Sequence, residues 1–134
     1  MNTSKTYIKR EFSNSKIDIE IKYDQNESTI ELISSTIENS TWNGVDLLDS
    51  FNKMRAYLED KGFFIFVNGA RENSWASGFL RDSSNGLLTY IYTLENKEVV
   101  NIFDLCETRI VKYSEQRKFY DDWRRNMRNS TQQS

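Results

Sequence analysis

The sequence predicts an α+β domain, with a mostly antiparallel sheet of about five to six strands and two main helices packed against it. Short runs of β-branched and aromatic residues recur along the chain, and at least one of them alternates cleanly between apolar and polar residues. Two longer segments instead place apolar residues at helical spacing. The 134 residues are enough for one hydrophobic core, so residues 1–134 are expected to form a single domain.

The first strand is predicted over residues 17–23, where isoleucine and tyrosine alternate with charged side chains. This pattern is typical of a strand with one wet face. A turn is expected at residues 24–27. Residues 28–37 are rich in β-branched side chains and predict a second antiparallel strand, with an amphipathic helix as the competing interpretation. Residues 1–6 are expected to be a frayed tail.

The first helix is predicted over residues 44–61. Asn43 is a suitable N-cap residue, and Asp46 follows three positions later as in a capping box. Apolar residues then recur at helical spacing. Gly62 is the residue type expected just after a helix, in the left-handed conformation.

The second half of the chain carries further strand signals. Residues 63–67 are continuously apolar, which is typical of a central strand buried on both faces. Residues 87–94 predict another strand, followed by a turn at 95–98 and a hairpin partner at 99–103. Residues 109–113 are expected to form a short edge strand.

The last helix is predicted to begin at a Ser114 cap. One stripe of this helix is aromatic or apolar and is expected to pack on the sheet: Phe119, Tyr120, Trp123 and Met127. Residues 129–134 are polar and are expected to fray, like the opposite end of the chain.

The composition excludes several classes of function. The chain has no histidine, which removes the commonest general base and the commonest zinc ligand. Cys106 is the only cysteine, so no intrachain disulfide can form, and a cytoplasmic location is expected. No apolar run is long enough to cross a bilayer, so no membrane association is expected. We therefore predict no catalytic residues, no metal site and no cofactor.

The segment 68–86 is the most informative part of the sequence. It carries three of the five glycines between two apolar runs, and long polar connections of this kind often carry function. Two interpretations remain open. The segment is either a loop that grips an anion or a protein surface, or a wide hairpin arm whose glycines serve only turns. The candidate binding residues are Arg71, Trp75, Ser77, Arg81 and Asp82.

Charge is unevenly distributed along the chain. Residues 1–60 carry a net charge of −4, whereas residues 108–134 carry +4. The acidic part could form an interface for a basic partner, although the same residues could equally be solvated faces of a strand and a helix. The candidate acidic residues are Asp18, Glu20, Glu31, Asp46 and Asp49.

The basic C-terminal helix allows a nucleic-acid hypothesis. Lys118, Arg124, Arg125 and Arg128 could contact phosphates. Against this, the whole chain has a net charge of −2, and acidic residues interrupt the basic run. Nucleic-acid binding is therefore ranked below protein binding.

A small, acidic, proline-free α+β chain of this composition resembles the immunity proteins of bacterial toxin systems. The resemblance lies in size and composition over the whole chain, so it implies a partner but no particular site residues. The expected function is a non-catalytic protein-binding domain with one protein partner, which the resemblance implies to be a toxin domain. The alternatives are a small-molecule-binding protein or enzyme that acts on an anionic ligand through residues 68–86, and a nucleic-acid-binding module.

Overall fold

A computed structural model describes residues 1–94 and 96–133, with side chains described as far as residue 128. Within these residues the chain forms eight strands in two antiparallel sheets, together with three α-helices. The predicted α+β class is confirmed. No helix in this part of the chain combines the length and apolar character needed to cross a membrane.

The larger sheet has five strands in the order β4-β3-β2-β1-β5. These strands are β1 (Asn2–Arg10), β2 (Ile17–Asp24), β3 (Thr29–Ile33), β4 (Ser40–Asn43) and β5 (Phe63–Ile65). The first four form a meander, and β5 pairs with the free side of β1. Helix α1 (Leu47–Asp60) connects β4 to β5, and its apolar side chains join those of the sheet in one core.

Residues 2–10 form β1, so the frayed tail predicted at residues 1–6 is wrong. The strand pairs with β2 along most of its length and with β5 near its end. Thr6 and Ile8 are buried, and the hydroxyl of Ser4 donates a 2.5 Å hydrogen bond to the carbonyl of Phe103. Tertiary contacts fix this polar stretch, which has no clear apolar alternation of its own.

Two strand predictions change in extent. The strand predicted over 28–37 ends at Ile33, where the amide of Ser34 instead donates to the side chain of Asn39. The run 63–67 yields the short strand β5 at an edge of the sheet rather than at its centre. It is apolar because Phe63 and Ile65 are buried in the core and Val67 continues that burial beyond the strand.

Helix α1 begins at Leu47, and its N-cap is Asp46 rather than Asn43. Asn43 lies in β4 and pairs with Thr29, so its backbone belongs to the sheet and cannot begin the helix. The carboxylate of Asp46 accepts a 2.8 Å hydrogen bond from the amide of Asp49, which satisfies a donor in the first helical turn. Gly62 has a φ of +85°, as predicted for the residue that ends the helix.

The smaller sheet comprises β6 (Ser74–Trp75), β7 (Leu88–Tyr92) and β8 (Lys97–Asn101), in that order. The hairpin partner predicted at 99–103 therefore starts two residues earlier. The turn predicted at 95–98 begins at Glu95, which lies outside the described residues. The edge strand predicted at 109–113 is reduced to one isolated bridge, between Arg71 and Ile110.

The segment 68–86 is folded and does not form an irregular loop. It contains a 3₁₀ turn (Asn68–Ala70), strand β6 and a short helix, α2 (Gly78–Ser84). Ser77 caps α2 by accepting a hydrogen bond from the amide of Leu80. Leu80 and Ser84 are buried, which fixes α2 against the rest of the domain.

Helix α3 (Tyr113–Gln133) begins one residue before the Ser114 cap that was predicted. The amide of Tyr113 donates a 2.8 Å hydrogen bond to the carboxylate of Glu59 in α1, which replaces a local cap. The helix includes residues 129–133 of the predicted tail 129–134. Their side chains and Ser134 lie outside the described part of the structure.

Candidate functional site

A groove of about 680 Å³ runs between α3 and the segment 75–78. We call it the aromatic–arginine groove. Its walls are formed by Trp75, Ala76, Ser77, Gly78, Tyr113, Arg117, Tyr120, Asp121 and Arg124.

Stacked aromatic rings form one side of this groove. The ring of Trp75 lies 4.8 Å from that of Tyr120, at an interplanar angle of 11°, and 6.3 Å from that of Tyr113. Tyr92 extends the cluster, with its ring 4.5 Å from Trp123. Burial raises the pKa of Tyr92 to about 12, so this hydroxyl remains protonated at neutral pH. The cluster holds α3 against the smaller sheet.

Arginines line the helical wall of the groove. Arg117 and Arg124 are exposed, and neither side chain forms an ion pair or hydrogen bond within the described residues. Arg125, by contrast, lies 3.6 Å from the carboxylate of Asp122. A free guanidinium offers several hydrogen-bond donors in a planar arrangement that matches a carboxylate or phosphate. The groove therefore combines flat aromatic surface with unpaired positive charge.

A smaller cavity of about 100 Å³ shares Trp75, Ala76 and Tyr113 with the groove. We call it the inner cavity. The rest of its lining is Leu48, Asn52, Gly69, Ser74, Arg81, Thr89 and Gln116. The hydroxyls of Ser74 and Thr89 are 3.0 Å apart and buried. One hydroxyl donates its proton to the other, so the second hydroxyl keeps its own proton. That proton can be donated to a small occupant such as water.

Arg55 anchors the start of α3 to the core. Its side chain is only 2% exposed and donates hydrogen bonds to the carbonyl of Val111 at 2.5 Å and to the side-chain oxygen of Gln116 at 2.7 Å. Gln116 in turn donates to the carbonyls of Gly69 and Arg71. This network positions the wall of the groove relative to α1 and the 3₁₀ turn.

Arg55 also lies 3.3 Å from the carboxylate of Glu59. Burial lowers the pKa of Arg55 to about 10, although the negative charge of Glu59 acts in the opposite direction. Arg55 is therefore still protonated at neutral pH, and its charge depends on the surrounding acceptors for stabilisation.

Two of the predicted site residues, Arg81 and Asp46, bind each other. The Arg81 guanidinium donates two hydrogen bonds to the Asp46 carboxylate, at 2.8 and 2.9 Å, in a bidentate ion pair that joins α2 to the start of α1. Asp49 accepts a hydrogen bond from the amide of Val45 and lies 3.5 Å from the ammonium group of Lys53. All these charged groups therefore have partners within the domain.

The other residues predicted in segment 68–86 are dispersed. Trp75 and Ser77 line the groove, and Ser77 also caps α2. Asp82 is exposed on α2. Arg71 is absent from the linings of the groove and the inner cavity, and its buried Nε has no hydrogen-bond partner among the described residues. Arg71 and Arg81 therefore do not form a shared clamp in these two spaces.

The predicted acidic surface is divided by lysines. Glu20 lies opposite Lys5 on the neighbouring strand, and Glu31 lies opposite Lys22. Asp18 lies opposite Tyr7 on the same face of the larger sheet. Opposite charges on facing strand positions attract each other, so this face has a mixed charge.

The Asp46–Arg81 pair makes stability depend on pH in the acid range. Burial alone would raise the pKa of Asp46, but the hydrogen bonds from Arg81 and the Asp49 amide, together with the charge of Arg81, lower it below 3.8. The stabilisation is thus present above pH 3.8 and is lost as pH falls through the lower folded-state pKa. We expect Asp46→Asn to lower the free energy of unfolding by about 1 kcal/mol at pH 7, and the difference to disappear in strong acid.

Urea unfolding at pH 7 and pH 2.5 measures this effect. Asp82→Asn is the matched control, because Asp82 is exposed and has no partner in the described residues. Equal urea midpoints for the wild type and Asp46→Asn at pH 7 would contradict the assigned role of the pair.

Several residues of the site were not predicted from the sequence. Arg55 falls on the apolar stripe of α1, between the buried residues Met54 and Leu58, and a charge at such a position is a usable signal for a buried polar network. Gln116 gave no such signal, because a single glutamine near the start of a helix is ordinary. Arg117 has no local signal in the sequence, because only the fold brings it beside Trp75.

In the part of the chain that the structure describes, no three carboxylates or cysteine side chains converge as metal ligands would. No protein-family model matches this chain, and a search of curated proteins finds no significant match.

Proposed function

We propose that this protein is a non-catalytic protein-binding domain that holds one partner through the aromatic–arginine groove. The single observation that carries the proposal is the Trp75–Tyr120 stack beside the unpaired Arg117 and Arg124. Tryptophan, tyrosine and arginine are the residue types that dominate the energetics of protein interfaces. A shallow groove of about 680 Å³ is open enough to admit a segment of another chain.

The resemblance to immunity proteins suggests the kind of partner. Under this proposal the partner is a bacterial toxin domain, and the groove blocks its active surface or fixes it in an inactive complex. Such a role needs a rigid surface and no catalytic groups. The Arg55 network supports that requirement because it fixes the start of α3 to the core.

Binding of a small anion through residues 68–86 has less support. Arg81 is already paired with Asp46, and Arg71 is not part of the groove or the inner cavity lining. The inner cavity, at about 100 Å³, would hold only a very small ligand.

Affinity capture from the organism that encodes the chain tests the proposal. The immobilised wild type is compared with Trp75→Ala, Arg124→Gln and the control Glu31→Gln on the outer face of the larger sheet. We expect one protein to be retained by the wild type and the control. Titration with that purified partner should show about 30-fold weaker binding to Trp75→Ala, equivalent to about 2 kcal/mol.

Arg124→Gln guards against a purely structural effect, because Arg124 is exposed and its loss should leave the fold intact. Far-ultraviolet circular dichroism and the unfolding midpoint check that both groove variants are folded. If the captured partner binds both groove variants as tightly as the wild type, the groove is not the binding surface.

A further inference from the structure

The charge of the groove indicates which kind of segment it receives. We propose that the aromatic–arginine groove recognises an extended acidic segment of the partner protein, about seven residues long. This inference rests on the proposed function and specifies the chemistry of its partner.

Unpaired arginines along α3 provide the first support. The side chains of Arg117, Arg124 and Arg128 have no ion pair or hydrogen bond within the described residues. A depression of about 230 Å³ shares Asp121 and Arg124 with the groove and is also lined by Arg125 and Arg128. Carboxylates of a partner segment can pair with these guanidinium groups in bidentate geometry.

Helical geometry sets the length of the segment. On α3 the lining runs from Tyr113 in the groove to Arg128 in the depression, a distance of about 22 Å at 1.5 Å per residue. An extended peptide advances about 3.3 Å per residue, so about seven residues cover this length. Arg117 and Arg124 are about 10.5 Å apart along the helix axis, which falls between two and four residues of an extended peptide, the separations that place side chains on the same face.

The opposite wall favours close approach of a peptide backbone. Gly78 has no heavy atom within 4 Å of the position that a Cβ would occupy, so open space lies beside this part of the chain. Phe79, the next residue, is 80% exposed. An apolar side chain of the segment can pack on Trp75 while its acidic neighbours meet the arginines.

Asp121 makes the groove discriminate between an acidic peptide and a nucleic acid. Asp121 lies on the wall between Arg117 and Arg124, and no ion pair neutralises it in the described residues. A nucleic-acid strand carries a phosphate at every nucleotide and would meet this carboxylate unfavourably. A peptide can place an uncharged residue opposite Asp121, so the groove suits an acidic protein segment better than a strand of phosphates.

Selection from a displayed library of random twelve-residue peptides tests the inference. The immobilised wild-type domain is the bait, and the double variant Arg117→Gln/Arg124→Gln removes peptides that bind elsewhere. Groove-dependent peptides should be enriched in Asp and Glu, with two acidic positions two or four residues apart, on the same face of the extended segment. As synthetic peptides they should bind the double variant at least tenfold more weakly, and raising the salt concentration should weaken binding to the wild type.

Asp121→Asn gives a prediction of opposite sign. The substitution removes a negative charge that repels the acidic peptides, so their binding should tighten about threefold. Glu31→Gln, on the other sheet, should change nothing. Fluorescence of Trp75 reports binding directly when Trp42 and Trp123 are replaced by Phe.

Three results would overturn the inference. Groove-dependent peptides without acidic enrichment would refute it while leaving the proposed function intact. Recovery of no groove-dependent peptide would also refute it. Tighter binding of a ten-nucleotide oligothymidine than of the best peptide would assign the groove to nucleic acid. A different result would refute the proposed function itself: the captured partner would bind the groove variants as tightly as it binds the wild type.

Discussion

Replacing Arg55 by methionine should lower the free energy of unfolding by about 3 kcal/mol. Methionine fills a similar volume but donates no hydrogen bonds. The substitution leaves two acceptors without their donor, the side-chain oxygen of Gln116 and the carbonyl of Val111. A longer 3.4 Å hydrogen bond to the carbonyl of Ala70 is also lost, but that carbonyl keeps the amide of Val111 as a donor. It also removes the cation beside the Glu59 carboxylate.

Two opposing effects set this magnitude. The lowered pKa of Arg55 shows that burial of its charge is unfavourable, and the substitution relieves that cost. The buried acceptors then lose their partners, which costs about 1–3 kcal/mol for each group that water cannot reach. Several groups are affected, so the loss should exceed the gain.

Guanidinium chloride unfolding, followed by circular dichroism, measures the change. Lys53→Met is the matched control, because Lys53 lies on the same helix with an exposed side chain and a 3.5 Å pair to Asp49. The control should change stability by less than about 0.5 kcal/mol. If Arg55→Met fails to fold, Arg55→Lys can be measured in its place, because it keeps the charge with fewer hydrogen-bond donors. Its loss of stability should lie between that of the control and the loss expected for Arg55→Met. A loss below 1 kcal/mol for Arg55→Met would show that the network does not stabilise the fold.

Replacing Gly86 by alanine should destabilise the domain by about 3 kcal/mol. Gly86 has a φ of +80°, which is unfavourable for residues with a Cβ. The new Cβ would lie 2.5 Å from the backbone nitrogen of Leu48 and 2.9 Å from Cγ of Asp46. Because the first of these atoms belongs to the backbone of α1, a side-chain rotation cannot relieve the clash.

Gly78→Ala is the matched control from the same segment. A Cβ at Gly78 meets no atom within 4 Å, and the residue begins α2. Alanine there should stabilise the domain by about 0.5 kcal/mol, because glycine is a poor helix former. Thermal unfolding of the two variants should therefore shift in opposite directions. Equal midpoints for the two variants would indicate that Gly86 is not packed tightly against the start of α1.

The sequence predicted the parts of the fold that have a local signal. Strand β2 alternates residue by residue, and Gly62 ends α1 as expected. Strand β1 has no local signal because its polar residues are fixed by pairing with β2 and with β5, and β5 lies far away in sequence. The N-cap shifted from Asn43 to Asp46 for a similar reason, since pairing with β3 holds Asn43 in a strand.

The candidate site was less predictable than the fold. Trp75 and Ser77 were selected from their segment, and both line the groove. The partners that complete the groove come from α3, about forty residues later, and no local pattern connects the two segments. Arg81 has the residue type of an anion clamp, but its own domain supplies the anion as Asp46. Residue type indicates the chemistry available, whereas the fold determines which charges remain free.

The connection from β4 to β5 sets a length requirement on the domain. These strands lie at opposite edges of the five-stranded sheet, and only three residues precede α1 and two follow it. The four spacings between five strands amount to about 19 Å, and a helix of 14 residues is about 21 Å long. Helix α1 therefore acts as a spacer matched to the width of the sheet. Removing one helical turn would shorten it by about 5.4 Å, which is more than one strand spacing.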